Sequence, residues 1–280
     1  MIGAPDTSID TKIVPIQHVA AEELDLNTHV IDTFTGWTPP VPINLVVAVS
    51  FGLLVPPRIL DLAKYGGLNV HPSLLPDLRG PAPIHHALLK ERPFTGVSIQ
   101  TLHPKLFDQG MILAQTASPG MKVTPEATPA ELIETLAIEG ATMLVDVLKS
   151  GAFVPPLRDV GWYSDSKGPI DHAGKITKNQ REVDFRRDAL QDILRVQRVI
   201  GAPYCILQNG ARLILDEVTD AGHPVSEKGT VSFSVDGMSG SLLVRMHNGE
   251  TVRINKSTYE GGKTGQGNAR LIRLIHDNQL

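Results

Sequence analysis

The sequence predicts an α/β first domain on a mostly parallel sheet, followed by a small all-β barrel. Three observations predict it. Short apolar runs alternate with helical stretches through the first half, the pattern of strand and helix layers. A Pro/Gly-rich stretch at 151–169 then interrupts the chain. Beyond it, β-like runs recur at close spacing, parted by the turn signals Asp236-Gly237 and Asn248-Gly249. The expected bounds are 1–150 for the first domain, 151–172 for a linker and 173–280 for the second domain.

Taken in order, residues 1–42 hold at most two weak strands, KIVPI and THVID. INLVVAVS is a continuous Val-rich run and reads as a buried parallel strand. Pro56-Pro57 opens a helix over 58–64, which Tyr65-Gly66-Gly67 stops. LNV is a second strand, and 83–90 is helical. TGVSIQTLH is a third strand and MILAQTAS a fourth, joined by a link holding Asp108-Gln109-Gly110. Over 129–149, Leu132, Ile133, Leu136, Met143, Leu144 and Val147 fall at helical spacing. The second half opens with a helical pattern at 188–200. ARLILDEVT, GTVSFSVDG, SLLVRMHNG and ETVRINKS then read as strands.

Composition excludes some classes. The 280 residues are 41 % hydrophobic and 20 % charged, ordinary for a globular chain. No apolar run approaches the roughly 20 residues of a membrane span. Cys205 is the one cysteine, so no internal disulfide forms; it reads as a small core residue, and its solitude fits a reducing compartment. MIGAPDTSIDTKIV resembles neither a secretory signal nor an Arg-rich transit peptide. The net charge of −4 divides unevenly: 11 basic and 17 acidic residues up to position 168, then 15 and 13. Over 253–273, Arg253, Lys256, Lys263, Arg270 and Arg273 face one acid, Glu260. Such a patch suits phosphates, or is simply a solvated surface.

The stretch LNVHPSLLPDLRGPAPI carries the chemistry. Asn69 and His71 are two apart on a strand, so both face one side. They stand at the strand's carboxyl end, where sites gather in α/β sheets. Pro72, Pro76 and Pro81 restrict the backbone around them, and Gly110 permits a tight turn beside Asp108. An Asn amide aimed at a carbonyl stabilises a developing oxyanion by on the order of 3 kcal/mol. A His beside an Asp is held as imidazolium or relays protons, and an Asp takes the proton of an attacking amine. Ser73 lacks a nucleophile elbow, and no metal-ligand spacing occurs. The nucleophile then comes from a substrate. Taken singly, His71 reads as a structural histidine, Asn69 as a turn residue and Asp108 as a loop acid; only their conjunction points to acyl transfer.

The pattern N-V-H-P-S-L-L-P-x-x-R-G-x-x-P-I, followed by T-G-V-S-I and F-D-x-G-x-I-L, closely resembles the folate-dependent formyltransferases. The resemblance implies a Rossmann-like sheet and formyl transfer from 10-formyltetrahydrofolate, a co-substrate, to an amine. The transfer passes through a tetrahedral intermediate, with no covalent enzyme intermediate and no metal. It puts the catalytic trio on Asn69, His71 and Asp108. The Asn and His hold the oxyanion and the Asp assists proton movement. Folate contacts fall on Ser73, Leu74, Leu75 and Pro76, and Phe51-Gly52-Leu53-Leu54 resembles a pterin-pocket wall. The stretch AGKITKNQREVDFRRDALQDILRVQRVIGAPYC, with its A-x-K-I-T segment and Asp184-Phe185, is similar to the methionyl-tRNA branch of that family. That implies methionyl-initiator tRNA as partner, contacted by a β-barrel through Arg253, Lys256, Lys263, Arg270 and Arg273. It also implies a monomer without membrane contact, mitochondrial in a eukaryote or cytoplasmic in a bacterium. The glycinamide-ribotide branch is similar over the first domain alone.

The resemblance has departures. Family members begin with a strand, a glycine turn and a helix, for which no counterpart is seen; an N-terminally shortened sheet would expose an unpaired edge and apolar surface. Gln109 stands where Thr is common and Met111 where a second acid is common. The alternatives are a catalytically weak form that keeps folate or tRNA binding, and a deformylase that uses water.

Overall fold

A computed structural model describes residues 15–277 apart from 224, 226 and 238. Residues 15–23 are helical, as α1 (Pro15–His18) and a π-helical turn (Val19–Glu23). The expected strand KIVPI therefore gives way at Pro15, a residue pre-set to open a helix; its first three residues lie outside the described ones. THVID carries only a single bridge residue, Val30. The Val-rich run forms β1 (Val46–Val49). One helical turn, α2 (Pro57–Leu60), follows, shorter than expected because the chain turns at 61–65 ahead of Gly66. Then come β2 (Gly67–His71) and α3 (Pro83–Leu89). The single strand expected at 95–103 is broken into β3 (Phe94–Thr95) and β4 (Ser98–Thr101). The break falls at Gly96-Val97, where Thr116 Oγ1 accepts from Val97 N at 2.8 Å. β5 (Ile112–Gln115), β6 (Met121–Lys122) and α4 (Pro129–Ser150) complete this part.

The main sheet has the order β1-β2-β4-β5. Only β1 and β2 pair in parallel; β2–β4 and β4–β5 are antiparallel. The expected mostly parallel sheet is thus a mixed one. The link from β4 to β5 is too short for the crossover of about a dozen residues that a parallel neighbour needs, so the chain doubles back. β1 is an edge of this sheet among the described residues. Its Val46 and Ala48 are buried while Val47 and Val49 are exposed. Ile31, Phe34, Val55, Ile59, Leu60 and Ala63 cluster with Val46. The long helix α4 obeys its sequence at both ends. Thr128 and Glu131 form a reciprocal capping box, Pro129 takes the first turn, and Gly151 closes the helix at φ +69°; such a cap stabilises by about 1 kcal/mol.

Residues 151–175 are packed on this first unit, which ends at Lys175. Trp162 Nε1 donates to Thr116 O at 2.7 Å and Tyr163 N to Gln115 Oε1 at 3.1 Å. Asp171, His172 and Ala173 lie along the turn after β2. Leu78 N donates to Asp171 O at 2.8 Å, and Ala173 N to Arg79 O at 2.7 Å.

The second unit comprises Leu88–Lys90 and the chain from Ile176 onward. It holds α5 (Leu190–Ile200), β7 (Tyr204–Ile206), β8 (Arg212–Asp220), β9 (Ser232–Val235), β10 (Leu242–Arg245), β11 (Thr251–Tyr259) and α6 (Gly267–His276). Its antiparallel sheet runs β7-β8-β11-β10-β9, and Glu182 bridges to Tyr204 of β7. Of the expected barrel, the described residues show this one five-stranded sheet. Register shifts within β11, between Ile254 and Lys256 and between Lys256 and Thr258, bend it. Its core gathers Ile193, Leu213, Leu215, Leu242, Val244, Val252, Ile254 and Leu271. Helix α6, absent from the sequence expectation, sets Leu271, Ile272, Leu274 and Ile275 against that core.

Candidate active site

β2 delivers Asn69 and His71 to one cavity, as their spacing requires. Asp108 arrives on the short link between β4 and β5, with φ +54°. The turn is tight: a Cβ on Gly110 would lie 1.7 Å from Thr101 O, so only glycine fits. Arg79 Nε donates to Asp108 O at 2.8 Å, and Gly80 N to Asp108 Oδ2 at 2.8 Å. The other carboxylate oxygen, Oδ1, is the meeting point. Asn69 Nδ2 donates to it at 3.3 Å and Gln100 Nε2 at 3.1 Å, while His71 Nδ1 lies 3.3 Å away. The His71 and Asp108 side chains are only 6 % and 8 % exposed.

The protonation logic follows from the partners. His71 Nε2 is 3.1 Å from Leu78 O. A carbonyl only accepts, so Nε2 carries a hydrogen. Nδ1 then faces Asp108 Oδ1 at 3.3 Å, so a second proton taken up by the ring would lie between the two. Burial pushes the His71 imidazole below its ordinary value, and the Asp108 carboxylate pulls the other way. The ring therefore holds its second proton loosely.

The cavity is about 620 Å³, within the range of small-molecule sites. One wall is polar and bonded: Asn69, His71, Gln100 and Asp108. The lining also has an apolar part, with Phe51, Leu53, Leu54, Val55 and Leu102. Leu106 and Phe107, each 54 % exposed, also line it. His172 and Lys175, both exposed, also line it.

Of the expected residues, the structure brings Asn69, His71, Asp108 and 51–54 to this cavity. Ser73, Leu74, Leu75 and Pro76 are not among its lining residues. The first three are buried, and the turn consumes their polar groups. Ser73 Oγ donates to Asp77 O at 2.7 Å, Leu75 N to Ser98 Oγ at 3.0 Å, and Gln115 Nε2 to Leu75 O at 2.8 Å. Their side chains brace the turn; the adjacent Pro72 reaches the cavity. In the second unit, Arg253 is paired with Asp236, which takes it out of the free basic patch. Lys256, Lys263, Arg270 and Arg273 are exposed, and the Arg270 guanidinium stacks 4.0 Å from the Tyr259 ring centre. Among the described residues, no group of three or more His, Cys, Asp or Glu could hold a metal ion. No described helix is long and apolar enough to cross a membrane.

Sequence reasoning missed Gln100, the Gly80 amide, Phe107, His172 and Lys175. For Gln100 a signal existed: a large polar side chain inside the apolar run VSIQT.

The model of the formyl transferase family matches residues 8–148. The chain belongs to the formyl transferase family. Asn69, His71 and Asp108 fall inside the matched stretch, whereas His172, Lys175 and the strands of the second unit fall outside it. The human mitochondrial methionyl-tRNA formyltransferase is 38 % identical over 155 residues, covering 55 % of this chain and 38 % of that protein. The methionyl-tRNA formyltransferase of a Geobacillus species is 38 % identical over 147 residues, 51 % and 43 % of the two chains. The chain spans about half the length, or less, of the curated relatives it matches. A crystal structure of HypX from Aquifex aeolicus, in complex with tetrahydrofolic acid, shares the fold. Its TM-score is 0.51 at 18 % identity, over 76 % of this chain and 35 % of that one.

Proposed function

We propose that this formyl transferase chain moves a formyl group from 10-formyltetrahydrofolate to the α-amino group of methionyl-initiator tRNA. The observation that carries the reading is Asp108 Oδ1, held by carboxamide donors beside His71 in a cavity of ligand size. The names of the mitochondrial and bacterial relatives support the acceptor, and the tetrahydrofolate in the HypX complex supports a folate donor. A mitochondrial or bacterial compartment and a monomeric state go with the same reading.

The amine nitrogen attacks the formyl carbon, a C–N bond forms, and the carbonyl electron pair moves onto oxygen. Asn69 has a second N–H not engaged by Asp108 and gives it to that oxyanion. Both nitrogens of His71 are already committed, so it acts through Asp108 rather than on the oxygen. The Asp108 carboxylate takes the proton released by the amine. The intermediate collapses as the C–N10 bond breaks, and the proton leaves with N10. No side chain forms a covalent bond. The apolar wall at 51–55 takes the pterin, with Ser73–Pro76 as the stiff turn behind the catalytic strand end. In the second unit, Lys256, Lys263, Arg270 and Arg273 meet tRNA phosphates, giving binding that weakens steeply with salt.

The test is formyl transfer by the 280-residue chain to charged initiator tRNA, beside glycinamide ribotide and a reaction without acceptor. Transfer to the tRNA is the expected result. Transfer to the ribotide, or formate release with no amine present, would overturn the acceptor; tRNA binding without turnover would overturn the enzyme reading.

A further inference from the structure

The geometry points to Gln100 as the positioning residue that keeps Asp108 aimed while Asn69 is occupied with substrate. This rests on the formyl-transfer reading above. Asn69 and Gln100 are directly paired across β2 and β4, and both carboxamides donate to the same oxygen, Asp108 Oδ1. Their surroundings differ. Asn69 is half-buried and lines the cavity with a second N–H to spare. Gln100 is 1 % exposed, and its Oε1 accepts from Gly110 N at 3.0 Å. That backbone donor fixes which end of the amide is oxygen, so Nε2 has to face Asp108. Gln100 grips the Asp108 link twice, by the carboxylate and by the backbone two residues on.

The two amides therefore have separate tasks. As Asn69 gives its second N–H to a formyl oxygen, its already long 3.3 Å bond to Oδ1 weakens. Gln100 cannot turn, because its oxygen is tied to the backbone. Oδ1 then keeps a donor throughout the reaction, and the carboxylate stays within reach of the attacking amine. Asp108 needs such a grip because it sits in the left-handed backbone region, which non-glycine residues seldom adopt. His71 from β2 and Arg79 from the turn flank the same residue but do not replace Gln100. His71 Nδ1 lies 3.3 Å from Oδ1, Gly80 N holds only the other oxygen, Oδ2, and Arg79 holds only the main-chain carbonyl.

Two variants of the full chain test this. Gln100→Glu is nearly isosteric and still accepts from Gly110 N, but it sets an anion against Asp108. Once protonated, the introduced carboxyl regains a donor. Gln100→Leu has neither donor nor acceptor. With Gln100→Glu we expect kcat to fall roughly 30-fold at pH 8, and to recover to within about threefold of the parent near pH 5.5. Gln100→Leu should stay low at every pH, with KM for folate within about threefold. A structural role alone predicts no pH-dependent rescue. Gln100→Leu with kcat within about threefold of the parent, or Gln100→Glu with the same relative loss at both pH values, overturns the proposal. The His71 titration, read from its imidazole nitrogen signals, needs no turnover. Without the grip, the carboxylate drifts from the ring and the midpoint should fall by about half a pH unit in Gln100→Leu. If the parent transfers no formyl group, the functional reading fails, and this titration still decides: an unmoved midpoint overturns the positioning role. Should Gln100→Leu not fold, the pH rescue of Gln100→Glu decides alone.

Discussion

On one wall of the cavity, Asn69, His71, Gln100 and Asp108 hold one another and the backbone through named bonds. Elsewhere in the lining, Phe51, Leu53, Leu54 and Phe107 offer shape and apolar area, and Leu106 and Phe107 stand half in solvent. The difference separates two demands of group transfer. Reacting atoms need positions fixed to a fraction of an ångström. A flat, apolar co-substrate needs surface that can adjust around it.

The contrast breaks most sharply at Asp108. Asp108→Asn keeps the shape but cannot take a proton, and kcat should drop about 10³-fold with KM for folate little changed. Asn69→Ala should cost about 10²-fold in kcat, the usual worth of one oxyanion donor. Steady-state kinetics on both variants checks the polar wall; if either keeps a near-parental rate, the roles assigned there are wrong. Phe107→Ala tests the apolar lining. It should raise KM roughly fivefold and leave kcat within about twofold. An equal fall in kcat and kcat/KM would instead move Phe107 into the chemistry.

Much of the polar wall was legible because its information is local. Asn69 and His71 sit two residues apart on a short strand, and period two puts both on one face. Gly110 marks the turn that carries Asp108. The long helix α4 announces both its ends through Thr128, Glu131 and Gly151. What stayed hidden depends on partners. Apolar periodicity is the same in either direction, so β4 gave no sign of running antiparallel to β2; for β5 the sign lay in the short link after β4. Gln100 gains its meaning only from a register that sets it opposite Asn69. Ser73, Leu74 and Leu75 look like a ligand loop in the sequence, but three hydrogen bonds turn that segment inward. The basic residues of α6 drew attention from the apolar face that seats it. Lys175 and His172 lie about a hundred residues from β2, beyond any local pattern.

The strap at 171–173 carries a further consequence. It clasps the turn after β2 through Leu78, Arg79 and the Asp77 carboxylate, which accepts from Asp171 N at 2.8 Å across 94 positions of sequence. A chain emerging from the ribosome therefore presents its Asn-x-His strand long before the clasp exists. Closing so distant a loop is entropically costly. The nascent chain thus completes its clasped turn late, after residue 173 is free, and a transcript or protease cut that removes this strap would leave the trio encoded but its turn unfastened.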